Sequence, residues 1–248
     1  MTAWPPLPRP GLVRLNQLCL AVVFLTRLPL GRLLPPRAMP LAPAMWAFPL
    51  AGAVVGVIAA LPLMADGPPL VQAALSLALS VWLTGALHED ALADFADAAG
   101  GRTVQDRLRI MRDSHLGAYG TMALICISAL RIAALSVVGP AALIASAAGG
   151  RTAAVVAARM LPAVRRDGLG HGAGRPGLAT TGAAVGLACL ILLPTGTDGP
   201  VAAMAAIIVL FLIIRQARCW IGGQTGDVLG AASVCCETAM LLVFAWLT

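Results

Sequence analysis

The stretch Pro200-Val201-Ala202-Ala203-Met204-Ala205-Ala206-Ile207-Ile208-Val209-Leu210-Phe211-Leu212-Ile213-Ile214-Arg215 holds no polar side chain between its ends. A helix apolar all round has no face to offer water. A bilayer core about 30 Å thick gives it suitable surroundings and needs roughly 20 apolar residues per crossing. Comparable runs lie at about 41–65, 69–87, 118–138, 140–161, 177–194 and 228–247. Together with 200–215 they predict about seven transmembrane helices, within bounds of six to eight. The expected fold is all-α, a polytopic membrane helical bundle, with residues 1–248 as a single integral membrane domain.

Composition points the same way. Hydrophobic residues make up 59% and charged residues 11% of the 248, and mean hydropathy is positive. That leaves too little polar surface to coat a soluble globule of this length. The breaks carry turn chemistry at Gly67-Pro68-Pro69, at Gly139-Pro140 and from Gly196 to Pro200, and longer loops are expected near 88–117 and 162–176. Residues 11–30 read as an interfacial segment. The apolar run Leu18 to Leu25 meets Arg27 with no small-residue cleavage site after it, so a cleaved signal peptide is not expected.

The net charge of +6 comes with seventeen basic residues, all Arg, gathered at the ends of apolar runs. Alternating the helices across a membrane puts Arg9, Arg14, Arg32, Arg37, Arg102, Arg107, Arg109, Arg112, Arg165, Arg166, Arg175 and Arg218 on one side. The opposite loops, near 66–68, 139–140 and 195–199, have no Arg. The positive-inside bias makes the Arg-rich side the cytoplasm, and this placement speaks against nucleic-acid binding. The six cysteines, Cys19, Cys126, Cys189, Cys219, Cys235 and Cys236, form no C-x-x-C pair and read as small buried hydrophobes.

Six of the eleven acidic residues fall between 89 and 113: Glu89, Asp90, Asp94, Asp97, Asp106 and Asp113. If the helix entering at Pro69 runs on to Gly100-Gly101, Asp90, Asp94 and Asp97 stand at i, i+4 and i+7. At about 100° per residue they share roughly 60° of arc, with His88 nearly opposite. Like charges so spaced repel, so a cation is expected among them. Oxygen ligands without Cys favour a hard ion such as Mg²⁺, which binds few carboxylates and completes its shell with water and substrate phosphates. A plainer alternative is a solvated helix end paired with Arg102, Arg107 and Arg109.

The segment after the double glycine is basic and Gly-punctuated. Arg112 can clamp phosphate, with Ser114 and the backbone at Gly117 and Gly120 as donors; Asp113 can bind metal or hold Arg112. Residues 88–117 form the expected catalytic segment. A third polar island, Gly222-Gly223-Gln224-Thr225-Gly226-Asp227, opens the last helix on the same side. Asp227 can face the aspartates, and helix N-capping by Thr225 and Asp227 is the alternative. Within the membrane, Arg131, Arg151 and Glu237 are costly, about 2.5–3.5 kcal/mol each on insertion scales. Arg151 and Glu237 reach similar depths and are expected to pair. His115 and His171 sit in loops, whereas His88 beside the aspartates is a candidate for proton handling or substrate contact.

Three segments, His88-Glu89-Asp90-Ala91-Leu92-Ala93-Asp94-Phe95-Ala96-Asp97, Arg112-Asp113-Ser114-His115-Leu116-Gly117-Ala118-Tyr119-Gly120 and Gly223-Gln224-Thr225-Gly226-Asp227, closely resemble the signatures of the adenosylcobinamide-GDP ribazoletransferase (cobalamin 5'-phosphate synthase) family. The likeness runs from Phe24-Leu25-Thr26-Arg27-Leu28-Pro29 to Glu237, and includes Gly150-Arg151 and Arg166-Asp167-Gly168-Leu169-Gly170. Two departures are Ala91 where the family commonly has Gly, and Val234 where it often has Glu.

The resemblance implies transfer of the cobinamide phosphoryl group from adenosylcobinamide-GDP to a ribose hydroxyl of α-ribazole or α-ribazole 5'-phosphate, with release of GMP. It implies Mg²⁺ dependence and a bacterial inner-membrane enzyme with a cytoplasmic active face. Asp90, Asp94 and Asp97 are the implied metal ligands, and with Asp227 and His88 the catalytic set. Arg112, Asp113, Ser114, Gly117, Tyr119, Gly120, Gly223, Thr225, Gly226 and Arg151 are the implied substrate-binding set. The partners expected are the two substrates and the bilayer, with association with other cobalamin-assembly enzymes left open. CDP-alcohol phosphotransferases and membrane prenyltransferases also use spaced aspartates, but their further motifs are missing here. A transporter would spread polar chemistry across both faces.

Overall fold

In the computed structural model, residues 10–36, 39–164 and 174–248 are described; Arg9, Arg37, Arg165, Arg166, Asp167, Gly168, Leu169, Gly170 and His171 lie outside them. Among the described residues every regular element is helical: α1 Pro10–Leu25, α2 Phe48–Ala59, α3 Pro69–Thr84, α4 Leu87–Asp97, α5 Val104–Ile110, α6 Ala118–Leu135, α7 Pro140–Met160, α8 Leu178–Leu192, α9 Asp198–Ile221 and α10 Gly226–Leu247. Short 3-10 turns lengthen several of them, one of which, Ala42–Ala47, leads into α2. Among the described residues six helical stretches are long and apolar enough to cross a membrane, and α3 with α4 passes the same test as a bent pair, a broken span or a re-entrant loop, which sets the upper count at seven. The chain is a membrane protein.

The centre of the bundle is α7 against α10, with α2 on the other side of α7 and α9, α4 and α6 around α10. About two-thirds of α7 and of α10 is buried within the protein, against 6% of the span containing α8. Lipid tails are as apolar as leucine, so close packing has to come from small residues. On α2, a Cβ at Gly52 would overlap the Ala147 carbonyl, and one at Gly56 would lie 2.7 Å from the Ile144 Cα. On α7, a Cβ at Gly150 would lie 2.9 Å from the Glu237 Cβ.

The structure departs from the expected continuous helix between Pro69 and Gly100. The chain turns through 88° between α3 and α4. Gly85 (φ 66°) and Ala86 (φ 58°) are both left-handed. Gly85 N–H donates to the Trp82 carbonyl at 3.2 Å and Ala86 N–H to the Val81 carbonyl at 2.9 Å, the paired bonds of a Schellman stop. The left-handed Ala86 costs of order 1–2 kcal/mol. Arg27 accounts for the corner: its N–H donates to the Leu83 carbonyl at 2.7 Å, and its guanidinium fills the space a Cβ on Gly85 would need.

Two smaller corrections concern the ends and the cysteines. The helix expected at 200–215 runs on to Ile221, because its polar last turns are held by neighbours: Arg218 donates to the Met160 carbonyl at 3.2 Å. Cys126, Cys189 and Cys219 are exposed rather than buried, as apolar side chains on lipid-facing helices have no need of a protein interior.

Candidate functional site at the Arg-rich end

The first two polar segments meet on α4, and the helix that the third one opens packs against it. The amphipathic sequence of α4 keeps Asp90, Asp94 and Asp97 on one face, with Asp90 exposed and the other two half-buried, while Ala91, Leu92 and Phe95 face inward. Against α10, the approach is close enough that a Cβ on Gly230 would overlap the Cβ of Ala91. At its far end, Asp97 Oδ2 accepts from Gly117 N–H and Oδ1 from Gly120 N–H, both at 2.8 Å. The Asp97 carboxylate thus caps the N-terminus of α6, where orphan N–H groups and the helix dipole favour an anion. A Cβ on either glycine would collide with that carboxylate. Gly117 and Gly120, expected as donors to a substrate, donate to Asp97.

The loop between α5 and α6 is open. Arg112, Asp113, Ser114, His115 and Tyr119 are all exposed. Asp113 Oδ1 meets His115 Nδ1 at 2.6 Å and accepts the His115 N–H at 3.1 Å, so Asp113 holds His115 in a tight turn. This hydrogen bond is the main reason that the Asp113 carboxyl lies below its ordinary range and the His115 imidazole above its own. Asp106 is accounted for differently, closing a capping box with Thr103 at the start of α5. Arg107 lies over Trp220, 5.2 Å from the ring centroid, and Trp220 in turn meets Phe95 at 5.3 Å, which fastens α5 and α9 to α4.

The Gly-Gln-Thr-Gly-Asp segment is locked from beneath. Gln224 N–H donates to the Pro162 carbonyl at 2.8 Å and Val164 N–H to the Gln224 carbonyl at 3.1 Å. A Cβ on Gly223 would overlap the Pro162 carbonyl. Thr225 is buried and caps α10: its hydroxyl accepts from Val228 N–H at 3.5 Å and donates to Asp227 Oδ2 at 3.0 Å. Capping, the alternative open in the sequence, is therefore present, and the half-buried Asp227 is oriented by it.

Below this rim lies a dry charge network. Arg151 is paired with Glu237, as their matching depths predict. Arg131 joins them, with one nitrogen 2.6 Å from Glu237 and the other 2.8 Å from Glu89. Side-chain exposure is 2% for Arg131 and 13% for Glu89, so the network ties α4, α6, α7 and α10 together in the interior. Arg151, expected to touch substrate, is committed here. Glu89 is the member that sequence reading missed; its single-residue offset from Asp90, about 100° of helix, was the available signal. His88 is buried, and its Nδ1 has no hydrogen-bond partner among the described residues.

No three His, Cys, Asp or Glu side chains among the described residues converge as a ready-made metal cage. What α4 presents is carboxylate oxygen on one face with neither Cys nor His. This donor set fits a hard cation that keeps its waters and takes further oxygens from a phosphate substrate.

Comparison with known proteins gives a consistent result. The family model described as Cobalamin-5-phosphate synthase matches residues 17–245. A Mesorhizobium japonicum protein named adenosylcobinamide-GDP ribazoletransferase is 43% identical over 244 residues, covering 92% of each chain. Proteins of the same name from Azorhizobium caulinodans (43% over 215 residues, 79% of this chain and 81% of the relative) and Bradyrhizobium diazoefficiens (39% over 240 residues, 91% and 92%) are similar too. No solved structure matches. With the match extending over nearly the whole chain and all three polar segments inside it, this protein belongs to the cobalamin-5-phosphate synthase family.

Proposed function

We propose that this chain is the transferase that joins adenosylcobinamide-GDP to α-ribazole or its 5'-phosphate, the cobalamin 5'-phosphate synthase step, and that it works at the cytoplasmic face of a bacterial inner membrane. The observation that carries the reading is convergence: α4, the loop that opens α6 and the helix that follows the Gly-Gln-Thr-Gly-Asp segment, far apart in sequence, pack together at the Arg-rich end. The absence of Arg in the opposite loops supports this orientation.

In the proposed reaction a ribose hydroxyl oxygen attacks the cobinamide-bearing phosphorus, the bond from that phosphorus to the GMP oxygen breaks, and GMP leaves. Such a displacement asks for alignment and charge neutralisation more than for a protein nucleophile. Mg²⁺, when bound, would neutralise the diphosphate. Asp90 and Asp94 would hold it from the exposed face of α4, with Asp97 contributing only what its two N–H bonds leave over. Arg112 and Ser114, on the open loop, grip phosphate oxygens. Asp227, oriented by Thr225, takes the proton of the attacking hydroxyl.

The test is GMP release from adenosylcobinamide-GDP by the detergent-purified chain, with α-ribazole and its 5'-phosphate as separate acceptors and with Mg²⁺ present or chelated. Asp94→Asn is expected to lose at least about 100-fold in turnover, the lower range for a preorganised electrostatic contact. Full Mg²⁺-dependent turnover in that variant removes Asp94 from the site.

A further inference from the structure

On a flank of the bundle away from α4, a cavity of about 290 Å³ is lined by Arg14, Trp46, Ala179, Thr180 and Ala183. It lies open between α1, the 3-10 turn Ala42–Ala47 and the first turns of α8. Its volume sits at the lower edge of the roughly 300–1,000 Å³ used by small-molecule sites, enough for a headgroup and far too small for a corrinoid nucleotide.

Its cation is held in place. The Arg14 guanidinium lies 5.7 Å from the Trp46 ring centroid and donates to Gln17 Oε1 at 3.1 Å. The same Gln17 oxygen accepts from Trp46 Nε1 at 2.8 Å, and Gln17 is itself buried. Among the described residues no carboxylate pairs with Arg14. An exposed guanidinium steered by a ring and an amide, with no carboxylate beside it among the described residues, is suited to an anion.

The surroundings say which anion. The span containing α8 is 6% buried, so the cavity opens where the protein meets lipid. On the two helices that contribute to the lining, Leu12, Leu15 and Leu178 are 53%, 55% and 75% exposed. Trp46 lies near the start of the span Ala42–Ala59, and Arg14 lies over its ring from the shorter apolar helix α1, a pairing that matches the level of the phosphate headgroups. We propose that this cavity binds an anionic glycerophospholipid, its phosphate on Arg14, its glycerol against Trp46 and Thr180, and its acyl chains along the exposed leucines.

The experiment uses the full chain purified in detergent, titrated separately with phosphatidylglycerol, phosphatidylcholine and inorganic phosphate. Native mass spectrometry counts retained lipid, and thermal unfolding reads stabilisation. Expected are one retained phosphatidylglycerol per chain, a raised unfolding temperature, and a weaker effect of phosphatidylcholine. Arg14→Gln should weaken phosphatidylglycerol binding roughly tenfold or more, as for loss of a charged hydrogen-bond partner, whereas Arg32→Gln should leave it unchanged. Unchanged binding in Arg14→Gln overturns the proposal, as does equal stabilisation by inorganic phosphate, which would make the cavity a simple ion site. Neither readout involves turnover, so the outcome is independent of the function proposed above.

Discussion

The protein places charged side chains in two layers with opposite consequences. In the interior, Arg131, Arg151, Glu237 and Glu89 interlock with almost no exposure. At the rim, Arg112, Asp113, Ser114 and His115 are exposed. A charge within the membrane has to be answered by protein, so it becomes architecture; a charge at the edge keeps its access to water as well. The inner layer is therefore read in folding measurements and the outer one in titration and binding.

The sharpest way to break this contrast is at Glu237, which serves two guanidiniums. Glu237→Ala leaves both buried without their shared counter-ion, a change worth about 3–5 kcal/mol, and loss of folded protein in detergent is the expected result. Arg151→Ala in a double-mutant cycle with Glu237→Ala should show a coupling of about 0.5–3 kcal/mol. Additive effects would mean that the interior pair is not a unit.

Asp97 stands between the layers, and its effect should be intermediate. Asp97→Ala removes the two hydrogen bonds that cap the start of α6, a loss of about 0.5–2 kcal/mol in all. Gly120→Ala pushes the same carboxylate aside and should destabilise in the same direction. Thermal unfolding of both variants measures this, and an unshifted transition in Gly120→Ala would mean that the Asp97 cap is dispensable.

The smallest effect belongs to the outermost pair. In Asp113→Asn the His115 titration, followed by NMR, should fall toward the ordinary imidazole value of about 6.5. The raised imidazole makes the pair's contribution to loop order full below about that pH and lost as pH rises through the His115 midpoint. The lowered Asp113 carboxyl gives the second limit: the contribution holds above the usual carboxylate range and is lost as pH falls through the Asp113 midpoint. A His115 midpoint unaffected by Asp113→Asn would show that the turn does not persist in solution.

Much of this was legible in the sequence because the membrane writes its demands plainly. Long apolar runs marked the spans, and two opposite charges at equal depth marked Arg151 and Glu237 as partners. The i, i+4, i+7 spacing likewise placed three aspartates on one face. What escaped was set by contacts between distant segments. Nothing near Gly85 announces that Arg27 will occupy the space beside it, so the helical pattern reads straight through the corner. Glu89 looked like one more member of an acidic cluster, since only the fold brings Arg131 beneath it. Asp97 was grouped with Asp90 and Asp94 by spacing, although the backbone N–H groups of Gly117 and Gly120 claim it.

The corner at Gly85 and Ala86 breaks the line of α3 by 88°, and α4 sets off afresh beside α6. Glu89, near the start of α4, reaches Arg131 well inside α6, whereas Asp97, at the other end, caps the first turn of α6. The acids of α4 are thus rungs at different depths, the innermost sealed by a guanidinium and the outermost met by backbone N–H groups. One helix of 11 residues therefore joins the open loop to the buried charges, like a tie rod between surface and interior.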